Sequence, residues 1–308
     1  MRARTPTRRE ERLAQGRGRA TRRQQEEAAA RQRRIVLVAG TIVVVVVLAL
    51  AVARFVQSNA ATAGAPNSPA PPSLVTQVAG VDAATFDQVG RGSVTVLPTP
   101  VRGEIQRGPS GLPLVTYVGA EYCPFCAGER WSLVAALGRF GTFSGLQLSH
   151  SATDDVYPNT PTFSFVGSTY TSQYVELSPV ELQTNVRSGS SYSALQTPTP
   201  AQTSLLQTYD GPPYVPAQSA GSIPFIDIGG QYIVSGASYD VGVLRGMNAD
   251  QIASALSDPA SAQAKAILGG ANALTAAICT ATGDTPTDVC GQAAVKSLQA
   301  TLAAAPVP

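Results

Sequence analysis

Apolar and polar positions fall into three regimes along the chain. Ile35 to Ala53 is an unbroken run of nineteen uncharged residues dominated by Val, Leu and Ala, and as a helix it spans roughly 28 Å, enough to cross the hydrocarbon of a bilayer. Ser58 to Pro72, rich in Ala, Asn, Ser and Pro, has no apolar period and predicts an extended linker. From near Val75 onward, short apolar runs alternate with turn residues, as in a folded α/β domain.

Within that domain Leu114 to Val118 predicts a buried strand and Phe125 to Arg139 the helix after it. Val94 to Leu97 predicts an earlier strand, ended by Pro98 and Pro100. Leu146 to Ser149 reads as a short strand that the strand, helix, strand order makes parallel to the first, so both end on the sheet edge where sites gather. Thr162 to Val166 and Thr169 to Leu177 alternate about Gly167-Ser168 as a hairpin. Pro179 to Arg187 and Ala201 to Tyr209 predict short helices. Residues 151 to 220 therefore read as an insertion, with Phe163, Phe165, Tyr170, Tyr174, Tyr192, Tyr209 and Tyr214 as its own small core by default, or else as the lining of a substrate groove. Pro224 opens a second hairpin, Phe225 to Val234, around Gly229-Gly230. Asn248 to Leu256, Pro259 to Cys279 and Gly291 to Ala304 read as closing helices, with Asn248 or Asp258 as caps.

Charge changes the picture at the amino terminus. The net charge of +2 over 308 residues hides twelve Arg against four Glu in residues 1–34, while the remainder is acidic overall. Basic residues beside an apolar span stay on the cytoplasmic side, so the chain is expected to run amino terminus in and carboxyl terminus out. Ala51-Val52-Ala53 resembles a signal-peptidase site, but the apolar run exceeds a cleavable signal, which favours an uncleaved anchor. The Arg-rich tail also fits a nucleic-acid arm; beside a membrane helix it is better read as a topology determinant that touches anionic lipid. No GxGxxG, phosphate loop, HExxH or long repeat occurs.

The chemistry gathers in Cys123-Pro124-Phe125-Cys126, placed where the strand gives way to the helix. Unpaired N–H groups at a helix start favour a thiolate, so Cys123 is the expected nucleophile and Cys126 the resolving thiol. Pro124 suits the first turn, where its missing N–H had no helical partner. A C-x-x-C pair is also half of a zinc site, but zinc needs about four ligands, and the chain adds only Cys279, Cys290 and His150, without a second C-x-x-C. Cys279 and Cys290 are expected to staple a polar loop between helices, as suits an exported chain. His150 is an auxiliary candidate for stabilising the thiolate or moving a proton; the alternative is a plain loop histidine.

Ala120-Glu121-Tyr122-Cys123-Pro124-Phe125-Cys126 resembles the active-site element of thioredoxins, over roughly residues 86 to 256. The resemblance implies an α/β thioredoxin-like fold with an inserted subdomain, here preceded by a single transmembrane helix. It implies that Ile223-Pro224 is the cis-proline loop beside the sulfurs and pairs with an extended substrate chain. The chain departs from that pattern at Tyr117, where thioredoxins bury an acid, and in its Pro-Phe dipeptide. Tyr117 and Glu121 join His150 as auxiliary candidates. A closer likeness is to the membrane-anchored domain of unknown function 929 family, carried by Val118 to Cys126, Arg139 to Phe143, Tyr157 to Phe163 and Ile223 to Asp227.

The combined expectation is a basic cytoplasmic tail (1–34), a transmembrane helix (35–53), an extracytoplasmic linker (54–85) and a thioredoxin-like domain (86–308) with a helical extension. Its expected work is thiol-disulfide exchange on exported proteins, with no metal, cofactor or nucleic acid and with a membrane redox partner. The rival is a peptide-binding or partner-binding module whose first cysteine pair is only structural.

Overall fold

The computed structural model describes residues 67–308. The basic tail, the apolar span and the first part of the expected linker lie outside the described residues.

The last part of that linker is folded. A two-residue strand, β1 (Ser68–Pro69), precedes α1 (Pro72–Ala79) and α2 (Ala83–Val89). Leu74, Val78 and Phe86 enter the main core, and Asp82 caps α2 by accepting from the Thr85 N–H. Val94 to Leu97 is loop, not strand. Its Thr95 and Val96 N–H groups both donate to the Ser238 carbonyl, and the strand that follows, β2, is Thr99–Pro100.

Next come β3 (Leu114–Gly119), α3 (Pro124–Leu137), β4 (Gly141–Ser144) and β5 (Gln147–His150). They are followed by β6 (Pro161–Ser164), β7 (Thr169–Ser172), β8 (Glu176–Glu181), β9 (Gln183–Ser188), β10 (Ser191–Ala194) and α4 (Pro200–Tyr209). The chain closes with β11 (Phe225–Ile228), β12 (Tyr232–Ser235), α5 (Ala249–Ala255), α6 (Ala262–Ala281), α7 (Thr287–Cys290) and α8 (Ala293–Ala304). Asn248 caps α5 in a reciprocal capping box with Gln251. The cap of α6 is Ser261 rather than Asp258, so that helix starts later than expected.

Five strands form the central sheet in the order β2-β12-β11-β3-β8. The parallel neighbour of β3 is β8, paired from Leu114↔Glu176 to Gly119↔Glu181. This corrects two expectations. Pro179 to Arg187 is not a helix, and β5 does not join β3; it pairs antiparallel with β1 and β6 in a separate sheet. The physical reason is coverage: β3 is buried along nearly its whole length, and the polar Gln147-Leu148-Ser149-His150 would put unpaired side chains against it, whereas β8 brings Leu177 and Val180. Proline in β8 is tolerable because β8 is the edge strand. Residues 151–220 are thus not one peripheral block. The expected hairpin is also re-paired: β6 pairs with β5 and β7 with β4, the chain changing partners at Gly167, whose φ of 71° is open to glycine.

The sheet separates two cores. On one face α3 and α6 cover Val115, Tyr117, Ile226 and Ile228, and Phe163 and Phe165 pack there rather than in a core of their own. Gly270 lets α3 and α6 approach, since a Cβ there would meet Ser132 Oγ at 2.5 Å. By length and hydropathy (1.2) α6 could pass for a membrane span, but 89% of its window is buried inside the protein. On the opposite face Val118, Val180, Phe225 and Ile233 meet Leu205, Leu206 and Tyr209 of α4. Asp227 lies on this second face with Phe225. Its Oδ2 accepts from the Gly230 N–H at 3.1 Å, and Oδ1 has no partner among the described residues. Burial pushes its carboxyl up to about 7. Cys279 and Cys290 form the expected disulfide, joining the end of α6 to α7.

Two outcomes follow from these packings. Replacing both Cys279 and Cys290 by Ala is expected to cost about 2–3 kcal/mol of stability, the loop entropy of so short a ring, measured by denaturant unfolding; an unchanged midpoint would contradict it. Native Asp227 keeps a proton that the unfolded chain has released, so its share of stability is lost as pH rises from about 4 to about 7. Asp227→Asn retains the acceptor for Gly230 and is expected to stabilise the protein by on the order of 3 kcal/mol near pH 8, with little gain near pH 4.5, in unfolding curves at the two pH values.

Candidate functional site

The site forms where β3 runs out. Gly119 ends the strand, Ala120 to Tyr122 turn, and Cys123 becomes the cap residue of α3, with φ −74° and ψ 120°. The Cys126 N–H donates to Cys123 Sγ at 3.3 Å, so the sulfur takes the place that a Ser or Asp oxygen fills in an ordinary cap. Cys123 is 4% exposed, Cys126 0%, and both are free thiols. Phe125, between them, is 41% exposed.

The register of β11 delivers the second wall. Phe225 pairs with Val118, so the two residues before it, Ile223 and Pro224, fall opposite the turn that carries Cys123. Their peptide bond is cis, the Pro224 carbonyl accepts from the Gly236 N–H, and Cys123 Sγ lies 3.6 Å from the Ile223 carbonyl oxygen. The structure thus places Cys123, Cys126, Ile223 and Pro224 beside one another.

The two sulfurs differ in acidity. Cys123 is held below the ordinary thiol value by the Cys126 thiol, which hydrogen-bonds it, and by the Cys126 and Phe125 N–H groups and the Arg130 charge, all acting against burial. Burial pushes Cys126 well above that value, and its place beside Cys123 adds to the effect. Cys123 is therefore the more acidic thiol of the two.

Beneath the sulfurs lies a pair that the sequence did not announce. Arg130, one helical turn after Cys126, is fully buried and grips Glu181, the last residue of β8, through Nε to Oε1 at 2.8 Å and Nη2 to Oε2 at 2.6 Å. The same Nη2 reaches the Ala120 carbonyl at 2.8 Å, while Nη1 has no partner among the described residues. Burial alone would lower the affinity of Arg130 for its proton; the Glu181 charge outweighs it and keeps the guanidinium protonated. The available signal was two charged residues, Glu129 and Arg130, inside an otherwise apolar helix.

The three auxiliary candidates have different places. Tyr117 is fully buried, its ring edge-on to Phe165 and 5.7 Å from the Arg130 guanidinium, with its hydroxyl unpartnered among the described residues. Burial raises that hydroxyl well above its usual value. The Glu121 carboxylate is engaged by Ser164 Oγ and the Asn67 amide. His150 belongs to the separate sheet of β5, and its Nδ1 faces the Ser151 carbonyl at 2.8 Å. The Arg130 charge acts on Cys123.

Aromatic residues rim the mouth. Tyr122 stacks on Tyr192 of β10 with centroids 4.1 Å apart, and Phe125 meets Tyr157 edge-on at 5.9 Å. Arg187 lies over Tyr192 and pairs with Asp154 at 2.6 Å. Tyr192 thus belongs to the site rather than to a core of the insertion. Among the described residues no group of three or more His, Cys, Asp or Glu is arranged to hold a metal ion.

Iodoacetamide labelling across pH, read by peptide mass, is expected to modify Cys123 with a midpoint below the ordinary thiol value of about 8.5 and to spare Cys126; equal labelling of the two would contradict the asymmetry.

No curated protein and no solved structure matches the chain. A family profile, that of the Domain of unknown function (DUF929), matches residues 104–280. Because that span covers more than half of the chain and runs from the approach to β3 to the end of α6, through both free cysteines and the Ile223-Pro224 loop, the protein belongs to the DUF929 family.

Proposed function

We propose that the protein is a membrane-anchored, thioredoxin-like thiol-disulfide oxidoreductase acting on exported proteins. The observation that carries this reading is the unequal pair at the start of α3. One thiol is acidified by the Cys126 thiol and by helix N–H groups; the other is fully enclosed one turn behind it.

The thioredoxin-like part of the reading is supported by the arrangement around that pair: a β3-α3 unit, a parallel neighbour in β8, an antiparallel hairpin of β11 and β12, and the Ile223-Pro224 loop against Cys123. The membrane part is supported by the apolar run 35–53 and the Arg-rich tail before it. With the amino terminus inside, the cysteines face the outer side, where disulfides form and persist.

In exchange, the Cys123 thiolate attacks one sulfur of a client disulfide and expels the other as a thiolate. A mixed disulfide results. Cys126 then attacks Cys123 Sγ, its proton passing to the client thiolate that leaves, so two electrons have moved from the protein to the client. Run backward, the same bonds oxidise a client dithiol; the redox partner that resets the pair decides the direction. Ile223, preceding the first ladder residue of β11, offers its backbone to an extended client.

Cys126→Ala expressed in the native membrane is expected to accumulate disulfide-linked adducts on Cys123 that dissolve on reduction and are absent when Cys123 is also replaced. If no adduct forms, and the wild-type pair stays oxidised below about −300 mV, the pair is a structural disulfide and the protein a binding module.

A further inference from the structure

We propose that Arg130 is a catalytic residue of the resolving step: its Nη1, without a partner among the described residues, takes up the Cys126 sulfur as an acceptor once that sulfur becomes a thiolate, and its charge stabilises the thiolate during attack on the mixed disulfide. This rests on the oxidoreductase reading above and explains how a fully enclosed thiol can become a nucleophile.

Burial holds the Cys126 proton tightly, and attack requires its loss. Among the described residues, the carboxylates that gather around this helix turn are already engaged. The position that a buried acid would occupy holds Tyr117, whose hydroxyl burial makes a still weaker acid than usual. Both oxygens of Glu181 are occupied by Arg130. Glu129, the next carboxylate along α3, is tied to the Ser238 N–H at 2.9 Å and the Ser238 hydroxyl at 2.8 Å. Glu121 is tied to Ser164 and Asn67. Cys123, the remaining neighbour, is itself the sulfur under attack.

What the enclosure offers instead is a fixed positive charge. Arg130 follows Cys126 by four residues on one helix, so the two stack on the same face, and side chains on a helix lean back toward its start. The bond from Nη2 to the Ala120 carbonyl shows the guanidinium reaching under the turn that precedes Cys123. The Arg130 charge acts at both sulfurs. A buried guanidinium N–H left unpaired is costly unless an acceptor arises in a working state. The Cys126 thiolate is such an acceptor, and charge-assisted bonds of this kind are the strong ones. Arginine keeps its proton throughout, so the charge is present at every turn of the cycle.

In the step itself the Cys126 electron pair forms the bond to Cys123 Sγ, the bond from Cys123 to the client sulfur breaks, and the client thiolate leaves with those electrons and takes up the proton from Cys126. Once the intramolecular disulfide has formed, Nη1 loses its thiolate again.

The test uses the purified full-length protein in detergent and 5,5′-dithiobis(2-nitrobenzoate). Cys123 releases one nitrothiobenzoate as it forms the mixed disulfide, and Cys126 releases the second as it resolves it; Cys279 and Cys290 are already bonded to each other. Stopped-flow absorbance separates the phases. Replacing the pair together, Arg130→Gln with Glu181→Gln, avoids leaving one buried charge alone. It is expected to slow the second phase about 10- to 100-fold at neutral pH and to raise its pH midpoint, while the first phase changes far less. Arg130→Lys keeps the charge against Glu181 but loses Nη1 and the forked geometry, and is expected to slow the second phase measurably, yet less than the double variant. A second phase with unchanged rate and midpoint in the double variant, or an Arg130→Lys variant slowed as much as the double variant, overturns the role of Arg130 while leaving the oxidoreductase reading standing. A wild-type protein that releases only one nitrothiobenzoate, or none, overturns both.

Discussion

Enclosure of α3 is the constraint from which the rest of the molecule follows. Apart from Phe125, every residue of this helix is buried, yet it carries Glu129, Arg130 and Ser132. A helix covered on all sides must find a partner for each polar group or pay for it. Each partner lies on a different element. Ser132 donates to the Ile267 carbonyl of α6, Glu129 is met by Ser238 after β12, and Arg130 reaches Glu181 at the end of β8. Trp131 donates to the Pro161 carbonyl that opens β6. Segments more than a hundred residues apart are thereby fixed around one helix, and the fixed helix holds its first turn, with both sulfurs, against the Ile223-Pro224 loop.

Much of this was legible. The apolar run before Cys123 and the proline after it specify a strand ending in a helix start, because the buried strand and the first-turn proline are local signals. The β11-β12 hairpin was equally local, written in Gly229-Gly230. What escaped was long-range. The partner of β3 was assigned to Gln147 to Ser149 because it came next, while Glu176 to Glu181 was hidden by Pro179 and by acids at both ends. Those acids are what the edge and the site require: Glu181 has to be where Arg130 ends. His150 was drawn to the site by the same mistaken register; β5 went to another sheet, and the chain passes the site just after it, where the Ala152 N–H donates to the Tyr122 carbonyl. The importance of Arg130 was present in the sequence only as a charge out of phase with its helix, and its meaning depends on a strand fifty residues further on.

The site also has a built surround. Tyr192 reaches Tyr122 because β9 and β10 leave directly from β8, continuing its line past the sheet: the Glu121 N–H donates to the Gln183 carbonyl and the Leu182 N–H to that of Gly119. The hairpin is therefore an extension of the sheet edge folded beside the sulfurs. Its polar ties, Arg187 to Asp154 and Tyr192 to the same carboxylate at 3.2 Å, are exposed and weak individually, so the stacked rings carry its placement.

Both flanks of the central sheet are blunt. β2 is two residues long and ends in Pro100, and β8 carries Pro179 in mid-strand and the Glu176 carboxylate at its start. Proline and charge on outer strands are how natural sheets deny a stray chain somewhere to add itself. On the proposed function, whose clients would arrive unfolded, that denial would separate handling from capture: a guest could lie beside the sulfurs for one exchange without meeting an open ladder on the outer strands along which to nucleate aggregation.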